Sequence, residues 1–254
     1  MTAIDINCDI GEATDPDGVA REKSLIQLVS SVNIACAGHA GDDESMRRTV
    51  KLALDAGCAI GAHPSYPDRE RFGRVRLTMT ADALERELRE QIHRLGAIAR
   101  AGGADLSHIK PHGALYHACA DDPEVAGALA SAARSWRDGI VLIGGSGSAA
   151  LDHWRALGAV GIGEAFADRV YEPDGRLRSR SEPGALILDP EAAARQAVSV
   201  ATDGRVRAHD GAWVPLEAQT LCVHSDTPGS ERIAAAVRRA LQDAGVEIRR
   251  TRHD

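Results

Sequence analysis

Seven short apolar runs, separated by longer stretches with helical periodicity, constrain the fold of this chain more than any other feature. The runs cover residues 4–8, 32–36, 58–62, 106–110, 140–143, 159–163 and 220–224. Short runs that stay largely apolar, without strict alternation, suit strands buried on both faces, as in a parallel sheet covered by helices. The stretches between them carry helix signals. Met46, Val50 and Leu54 repeat every four residues, and Gly57 closes the segment. Leu84, Leu88, Ile92 and Leu95 form a longer stripe with Thr80 ahead of it. Asp122–Pro123, Asp189–Pro190 and Thr227–Pro228 each set a capping side chain before a proline, the signature of a helix N-terminus. Ile233, Val237 and Leu241 follow the last of these as another stripe.

Repeated strand–helix units fit a closed barrel or an open doubly wound sheet, and the pattern alone does not choose between them. The 254 residues match the length of many α/β barrels built as one unit. No linker-like tract divides the chain, so a single domain over 1–254 is expected. The long exception to the alternation is 165–189, rich in Asp, Gly, Arg and Pro. It is expected to fold over the strand ends as an active-site loop. A further short strand is expected at 205–208, before Trp213.

Composition narrows the function classes. Thirty basic against 37 acidic residues leave a net charge of −7, which argues against broad binding to a nucleic-acid backbone. Arg249, Arg250 and Arg252 form a short basic cluster that reads as a solvated tail. No apolar run approaches the 18 or so residues that span a bilayer. The start of the chain carries Asp5 and Asp9 rather than a basic segment and an apolar run, so no signal peptide is expected. The five cysteines are odd in number and form no C-x-x-C pair. Cys8, Cys36, Cys58 and Cys222 lie in or beside apolar runs and read as core side chains. With Cys119 they are expected to be reduced thiols of a cytoplasmic protein.

Polar residues gather after nearly every strand. Asn7, Asp9 and Glu12 follow the first; His39 and Asp42 the second; His63, Tyr66 and Asp68 the third. Lys110, His112 and Tyr116 follow the fourth; Glu164, Asp168 and Arg169 the sixth; His224, Asp226 and Thr227 the seventh. In parallel α/β architectures this edge is where ligands bind, so the clusters predict one functional rim. Asp9, His39 and His63 offer donors suited to zinc or a similar divalent ion. They fit metal-free roles equally well, Asp9 as a general base and either histidine as an acid–base group. Lys110 can hold a substrate carboxylate or a developing oxyanion, or pair structurally with Glu164 or Asp9. His93, His108, His117, His153, His209 and His253 read as surface or structural.

The run from Gly144 to Ala150 contains a relaxed G-x-G-x-x-A spacing, with Glu164 nineteen residues after Gly145. It sits in the fifth unit rather than the first, so close helix packing or an anion at the helix N-terminus explains it better than a nicotinamide cofactor. There is no P-loop, no H-E-x-x-H and no G-x-S-x-G elbow.

Six runs together resemble a known family. They are DINCDIGE (5–12), NIACAGHAGD (33–42), GAHPSYPDRERFGR (61–74), IKPHGALY (109–116), EAFADRVYEPDGRLRSR (164–180) and CVHSDTPG (222–229). In that order, along nearly the whole chain, they resemble the lactam-utilisation proteins, the family of the 5-oxoprolinase A-subunit. The resemblance implies a single seven-stranded (β/α) barrel, TIM-barrel-like, of the glycoside hydrolase and deacetylase type. It implies hydrolysis of 5-oxo-L-proline to L-glutamate with ATP, in company with two further 5-oxoprolinase subunits, B and C. Asp9, His39, His63, Lys110, His112, Glu164, Asp168, Arg169, His224 and Asp226 fall on its motif positions. Asp9, His39, His63, Lys110, Glu164 and Asp168 are then the expected catalytic residues. Asn7, Glu12, His112, Tyr116, Arg169, His224 and Asp226 are the expected substrate contacts, with Asp9, His39 and His63 as donors if a divalent metal is used.

The chain departs from the family pattern in three places. Ala37 and Gly38 stand where the family has Gly-Phe, Val75 where it has a second Arg, and Ser225 where it has Gly. Loss of the Phe is expected to remove bulk near the pocket. Two other readings share the residues: a stand-alone metal-dependent deacetylase or amidohydrolase, and a non-catalytic barrel that binds a small acid. The number of ionisable groups on the rim weighs against the second.

Overall fold

The apolar runs pair into a closed ring of parallel strands in the computed structural model, which describes residues 2–250. Arg252 and His253 lie outside the described residues. The first six strands alternate with helices: β1 (Ala3–Ile10), α1 (Pro16–Ile26), β2 (Ser31–Ala35), α2 (Asp43–Asp55), β3 (Ala59–His63), α3 (Ala81–Ala101) and β4 (His108–Ile109). The chain continues through α4 (Gly113–Asp121), α5 (Pro123–Trp136), β5 (Val141–Gly145), α6 (Ala149–Ala156) and β6 (Val160–Phe166). After α7 (Pro190–Asp203), β7 (Arg205–Arg207) and β8 (Trp213–Pro215) form a separate antiparallel hairpin. Then β9 (Thr220–Cys222) pairs with both β6 and β1, in register Glu164↔Thr220 and Asp5↔Thr220. That double pairing closes a seven-stranded barrel and decides against an open sheet. The last elements are α8 (Ser230–Asp243) and β10 (Glu247–Ile248), which extends the N-terminal end of β1. No helix among the described residues is long and apolar enough to cross a membrane.

Strand bounds differ from expectation where local chemistry intervenes. The fourth strand is only two residues long: it begins at His108 rather than at 106, and it ends at Ile109, shortly before Pro111, which has no N–H to continue the ladder. The sixth runs on to Phe166, since Glu164, Ala165 and Phe166 pair with β9. Asp122 and Asp189 cap α5 and α7 as expected, accepting from backbone N–H groups of the first turn. Thr227 does not cap α8. That helix starts after Gly229, whose φ of 75° needs glycine's freedom, and the Thr227 hydroxyl turns to Asp168 instead. Met46 and Val50 are buried, but Leu54 at the end of their stripe is exposed.

Alternation along β1 divides the interior. Ile4, Ile6, Cys8 and Ile10 are buried in the apolar core, while Asp5, Asn7 and Asp9 alternate with them. Those polar side chains join a network inside the barrel. Asp5 accepts from Ser30, Ser31 and Thr220 at 2.7, 2.6 and 2.6 Å. The Asn33 amide donates to Asn7 Oδ1 and Asp9 Oδ1, both at 2.8 Å, and His108 Nε2 lies 2.8 Å from Asn33 Oδ1. Gly61 makes room for that imidazole, because a Cβ there would overlap His108 Nε2. All five cysteines are buried and free.

Candidate active site

The C-terminal ends of the barrel strands open into a cleft of about 500 Å³. Asp9, Glu12, His63, Lys110, His112, Tyr116, Arg169, His224 and Asp226 line it. Nine residues expected at the site from sequence therefore share one cavity, of a size usual for small-molecule sites. Four others do not line it. Asn7 is fully buried inside the barrel, donating to Glu164 Oε1 at 2.9 Å and Thr220 at 2.7 Å, because it lies one inward-facing position below Asp9 on β1. Glu164 lies beneath the cleft floor, where it accepts from Lys110, Asn7 and Tyr116. Asp168 is fully buried and holds His224 Nδ1 at 2.9 Å and the Thr227 hydroxyl at 2.5 Å, so it positions rather than contacts. His39 stacks behind His112, with ring centroids 3.6 Å apart. Asp42 caps α2, and Tyr66 and Asp68 lie outside the cleft lining.

At the centre of the floor, Lys110 lies between two carboxylates. Its Nζ is 2.9 Å from Asp9 Oδ1 and 2.8 Å from Glu164 Oε1, so both structural pairings anticipated for it are made at once. Burial opposes charge on the lysine, but Asp9 and Glu164 hold its pKa well above the usual value. Burial likewise opposes ionisation of Asp9, yet His63 and Lys110 outweigh it and hold the carboxyl well below its usual range.

A second cluster crosses the floor beside Asp9. His63 Nε2 lies 3.5 Å from Asp9 Oδ2 and 3.1 Å from His112 Nδ1. Glu12 Oε1 is 3.0 Å from His39 Nε2 and 3.6 Å from His112 Nδ1. Burial pushes the Glu12 carboxyl up, against the pull of His112. Burial, reinforced by His63, pushes His39 far down and His112 to about 3. The His39–Glu12 contact is therefore a hydrogen bond from a neutral imidazole rather than an ion pair. His63 moves the other way: burial lowers it, but Asp9 raises it further than burial takes away.

The expected metal set of Asp9, His39 and His63 does not converge. Among the described residues, the donor groups within 4.8 Å of one another are Glu12, His63 and His112, and Asp9, Cys222 and His224. His39 is diverted because its Nε2 engages Glu12.

Sequence reading missed the cationic wall. Arg74 and Arg180 both reach Asp226, at 2.7 and 2.8 Å, tying three loops together over the cleft. Both arginines stand inside the motif runs, which was the available signal. Leu177, Arg178, Ser179 and Arg180 bring the 165–189 segment to the cleft, and Phe166 stacks on His224 at 5.2 Å. Arg169 donates one bond to the Arg178 carbonyl, but its buried Nε has no hydrogen-bond partner. The departures from the family pattern read differently in three dimensions. Position 38 does not line the cleft, and a Cβ on Gly38 would lie 2.5 Å from both Gln91 and Ser65. The bulk expected to be missing there is thus supplied by neighbours. Val75 is exposed, while Ser225 lines the cleft.

Comparison with known proteins agrees along the whole chain. Residues 4–254 match the model of the LamB/YcsF family. A protein from Chloroflexus aggregans, named as the A-subunit of 5-oxoprolinase, is 48% identical over 252 residues, covering 99% of this chain and 100% of its own. Another of that name from Methylococcus capsulatus is 42% identical, covering 96% and 94%. The crystal structure of a lactam utilization protein from Thermus thermophilus superimposes with a TM-score of 0.91 at 39% identity, covering 97% and 99%. A deacetylase solved with substrate, T48, shares the fold alone: TM-score 0.50 at 14% identity, covering 98% and 87%.

Proposed function

Because this chain belongs to the LamB/YcsF family, we propose that it is the A-subunit of an ATP-dependent 5-oxoprolinase, a hydrolase that opens the lactam of 5-oxo-L-proline to L-glutamate. The observation that carries the reading is the pairing, in one cleft, of a carboxylate fixed by a lysine, Asp9 with Lys110, with the arginine cation of Arg169. The substrate is a small ring with one carboxylate and one resonance-stabilised amide. Arg169, a cation that lines the cleft, is suited to the carboxylate. Lys110 is suited to charge developing on the amide oxygen. Asp9 accepts a hydrogen bond from the attacking water and orients it. The water oxygen bonds to the carbonyl carbon, the ring C–N bond breaks, and the ring nitrogen takes a proton to become the amine of glutamate. Phosphorylation of the amide oxygen by ATP in the assembled enzyme would supply the drive: ring opening by the first water then leaves an acyl phosphate, which a second water hydrolyses to the glutamate carboxylate and phosphate. His224, Tyr116 and Asp226 complete the substrate walls, and Asp168 and Glu164 hold His224 and Lys110 in place from below.

On this reading the chain is one barrel unit of the deacetylase type, with 165–189 as its active-site loop, working in the cytoplasm with two partner subunits. The test is glutamate formation from 5-oxo-L-proline and ATP, by this chain alone and with both partners. Turnover is expected only in the full assembly. Rapid turnover by the pure chain, or none in the assembly, refutes the proposal.

A further inference from the structure

Two carbonyl groups fix the hydrogens of the His63–His112 pair. His63 Nδ1 lies 2.7 Å from the Lys110 carbonyl oxygen, and His112 Nε2 lies 2.9 Å from that of Phe72. A carbonyl oxygen only accepts, so each of those nitrogens carries the N–H of its ring. In neutral rings the other two nitrogens, His63 Nε2 and His112 Nδ1, are then both lone pairs. They face each other at 3.1 Å. Two lone pairs at that distance repel, so the contact holds either a proton on His63 Nε2, which Asp9 Oδ2 also faces at 3.5 Å, or a metal cation shared by both rings. Glu12 brings a carboxylate to the same point, its Oε1 3.6 Å from His112 Nδ1. All three donor atoms lie within 4.8 Å of one another. Donors around a tetrahedral zinc at about 2.0–2.1 Å stand about 3.3 Å apart, close to the two separations measured here.

We propose that Glu12, His63 and His112 form a binding site for a zinc-class divalent cation, with its fourth position open to the cleft. Two imidazoles and one carboxylate are the donor set of open, catalytic zinc sites rather than closed, structural ones. The surroundings are built as outer-shell support. The Lys110 and Phe72 carbonyls orient the two ligating rings, and His39 Nε2 donates to Glu12 Oε1 at 3.0 Å. His39 also stacks flat on His112, with 5° between the ring planes. Phe72 holds its carbonyl in place with a φ of 54°, a left-handed conformation uncommon for a bulky residue. Asp9 belongs to the neighbouring group, its Oδ1 engaged by Lys110 and Asn33.

The full-length chain, stripped with a chelator, is titrated with Zn²⁺ by calorimetry and with Co²⁺ by visible absorption. One ion per chain is expected, with the intense d–d bands of a four-coordinate cobalt site. Glu12→Gln, nearly isosteric, and His112→Ala should each weaken binding by about 100-fold or more. His39→Ala should weaken it by about 10–100-fold, the usual effect of losing an outer-shell partner. Circular dichroism establishes that each variant is folded. Two results overturn the proposal. One is a folded wild-type chain that takes up no ion, which would leave a proton on His63 as the occupant of the contact. The other is stoichiometric binding that persists unchanged in folded Glu12→Gln. Binding is read without turnover, so a chain that binds zinc but leaves oxoproline intact upholds this inference and defeats only the proposed reaction.

Discussion

Changing Asp9 to Asn removes one charge from the floor of the cleft at nearly constant volume, and its consequences can be worked out from the contacts. Asp9 Oδ1 accepts from Lys110 at 2.9 Å and from Asn33 at 2.8 Å, and an Asn carbonyl oxygen can accept both. Lys110 also keeps Glu164 at 2.8 Å, so it is not left as an unpaired buried charge. The loss is therefore the difference between hydrogen bonds to a charged and to a neutral acceptor, about 1 kcal/mol each. Part of it is returned by no longer burying a carboxylate. A net destabilisation of about 1–2 kcal/mol follows, or a fall in melting temperature of about 3–6 °C for a chain of this size. Turnover should fall much further, by about 100-fold or more, because the oriented acceptor for the attacking water is gone. Thermal melting and glutamate formation by the assembled enzyme are measured on the same variant. A folded Asp9→Asn enzyme with turnover within about threefold of wild type would falsify the role given to Asp9. By contrast Lys110→Met strands two buried carboxylates and should cost about 3–5 kcal/mol, because no other cation among the described residues pairs with both.

Three further outcomes are expected. Gly61→Ala should destabilise the barrel by about 1–3 kcal/mol in chemical denaturation, since the new methyl group meets a His108 ring pinned by Asn33 and Ser107; an unchanged denaturation midpoint contradicts the close packing. Ala37 has a φ of 76°, so Ala37→Gly should relieve strain of about 1–2 kcal/mol and, after glycine's greater entropy loss, raise stability by up to about 1 kcal/mol in a thermal melt. Burial, with Lys110 adding to it, holds His108 at about 3, below its ordinary 6.5. Between those values the unfolded chain binds the extra proton, so the stability this group contributes is full above pH 6.5 and is lost as pH falls toward 3. Unfolding measured at pH 5 and 7.5 should show about 2 kcal/mol of that loss in the wild type, and His108→Gln should be less sensitive by that amount. Equal pH sensitivity in both would remove His108 from the acid response.

The outer layers of this molecule were legible because they follow period. The helix stripes from Leu84 to Leu95 and from Ile233 to Leu241 are buried as their spacing requires, and Asp122 and Asp189 cap the helices they precede. Closure was not legible, since it depends on β9 returning to β1 across more than two hundred residues, and no local pattern encodes that pairing. Strand ends were blurred for local reasons, such as Pro111 cutting β4 short. At the site, position after a strand identified the rim residues but not their depth. Asn7 and Asp9 are two residues apart on the same face of β1, yet only Asp9 reaches the cleft.

Depth matters because the barrel interior is polar, which the apolar runs concealed. The inward positions of β1, β2 and β4 carry Asp5, Asn7, Asn33 and His108, with Lys110 just past the end of β4, and each hydrogen-bonds another layer. His108 fixes the Asn33 amide, Asn33 fixes Asp9, and Asp9 shares Lys110 with Glu164. A network in which nearly every lone pair and proton has its partner is rigid, since moving one member unmakes several bonds in a medium of low dielectric. Such a floor can hold a carboxylate ionised and in register with the cleft without help from mobile loops. The unsatisfied groups then carry the most information. Among the described residues, the buried side-chain atoms without hydrogen-bond partners are Arg169 Nε, His39 Nδ1 and Asp68 Oδ2, the last of them ion-paired with Arg71 at 2.9 Å. Arg169 lines the cleft and His39 lies immediately behind it, stacked on His112, so the two atoms left with no partner of either kind stand at the site rather than in the network beneath it.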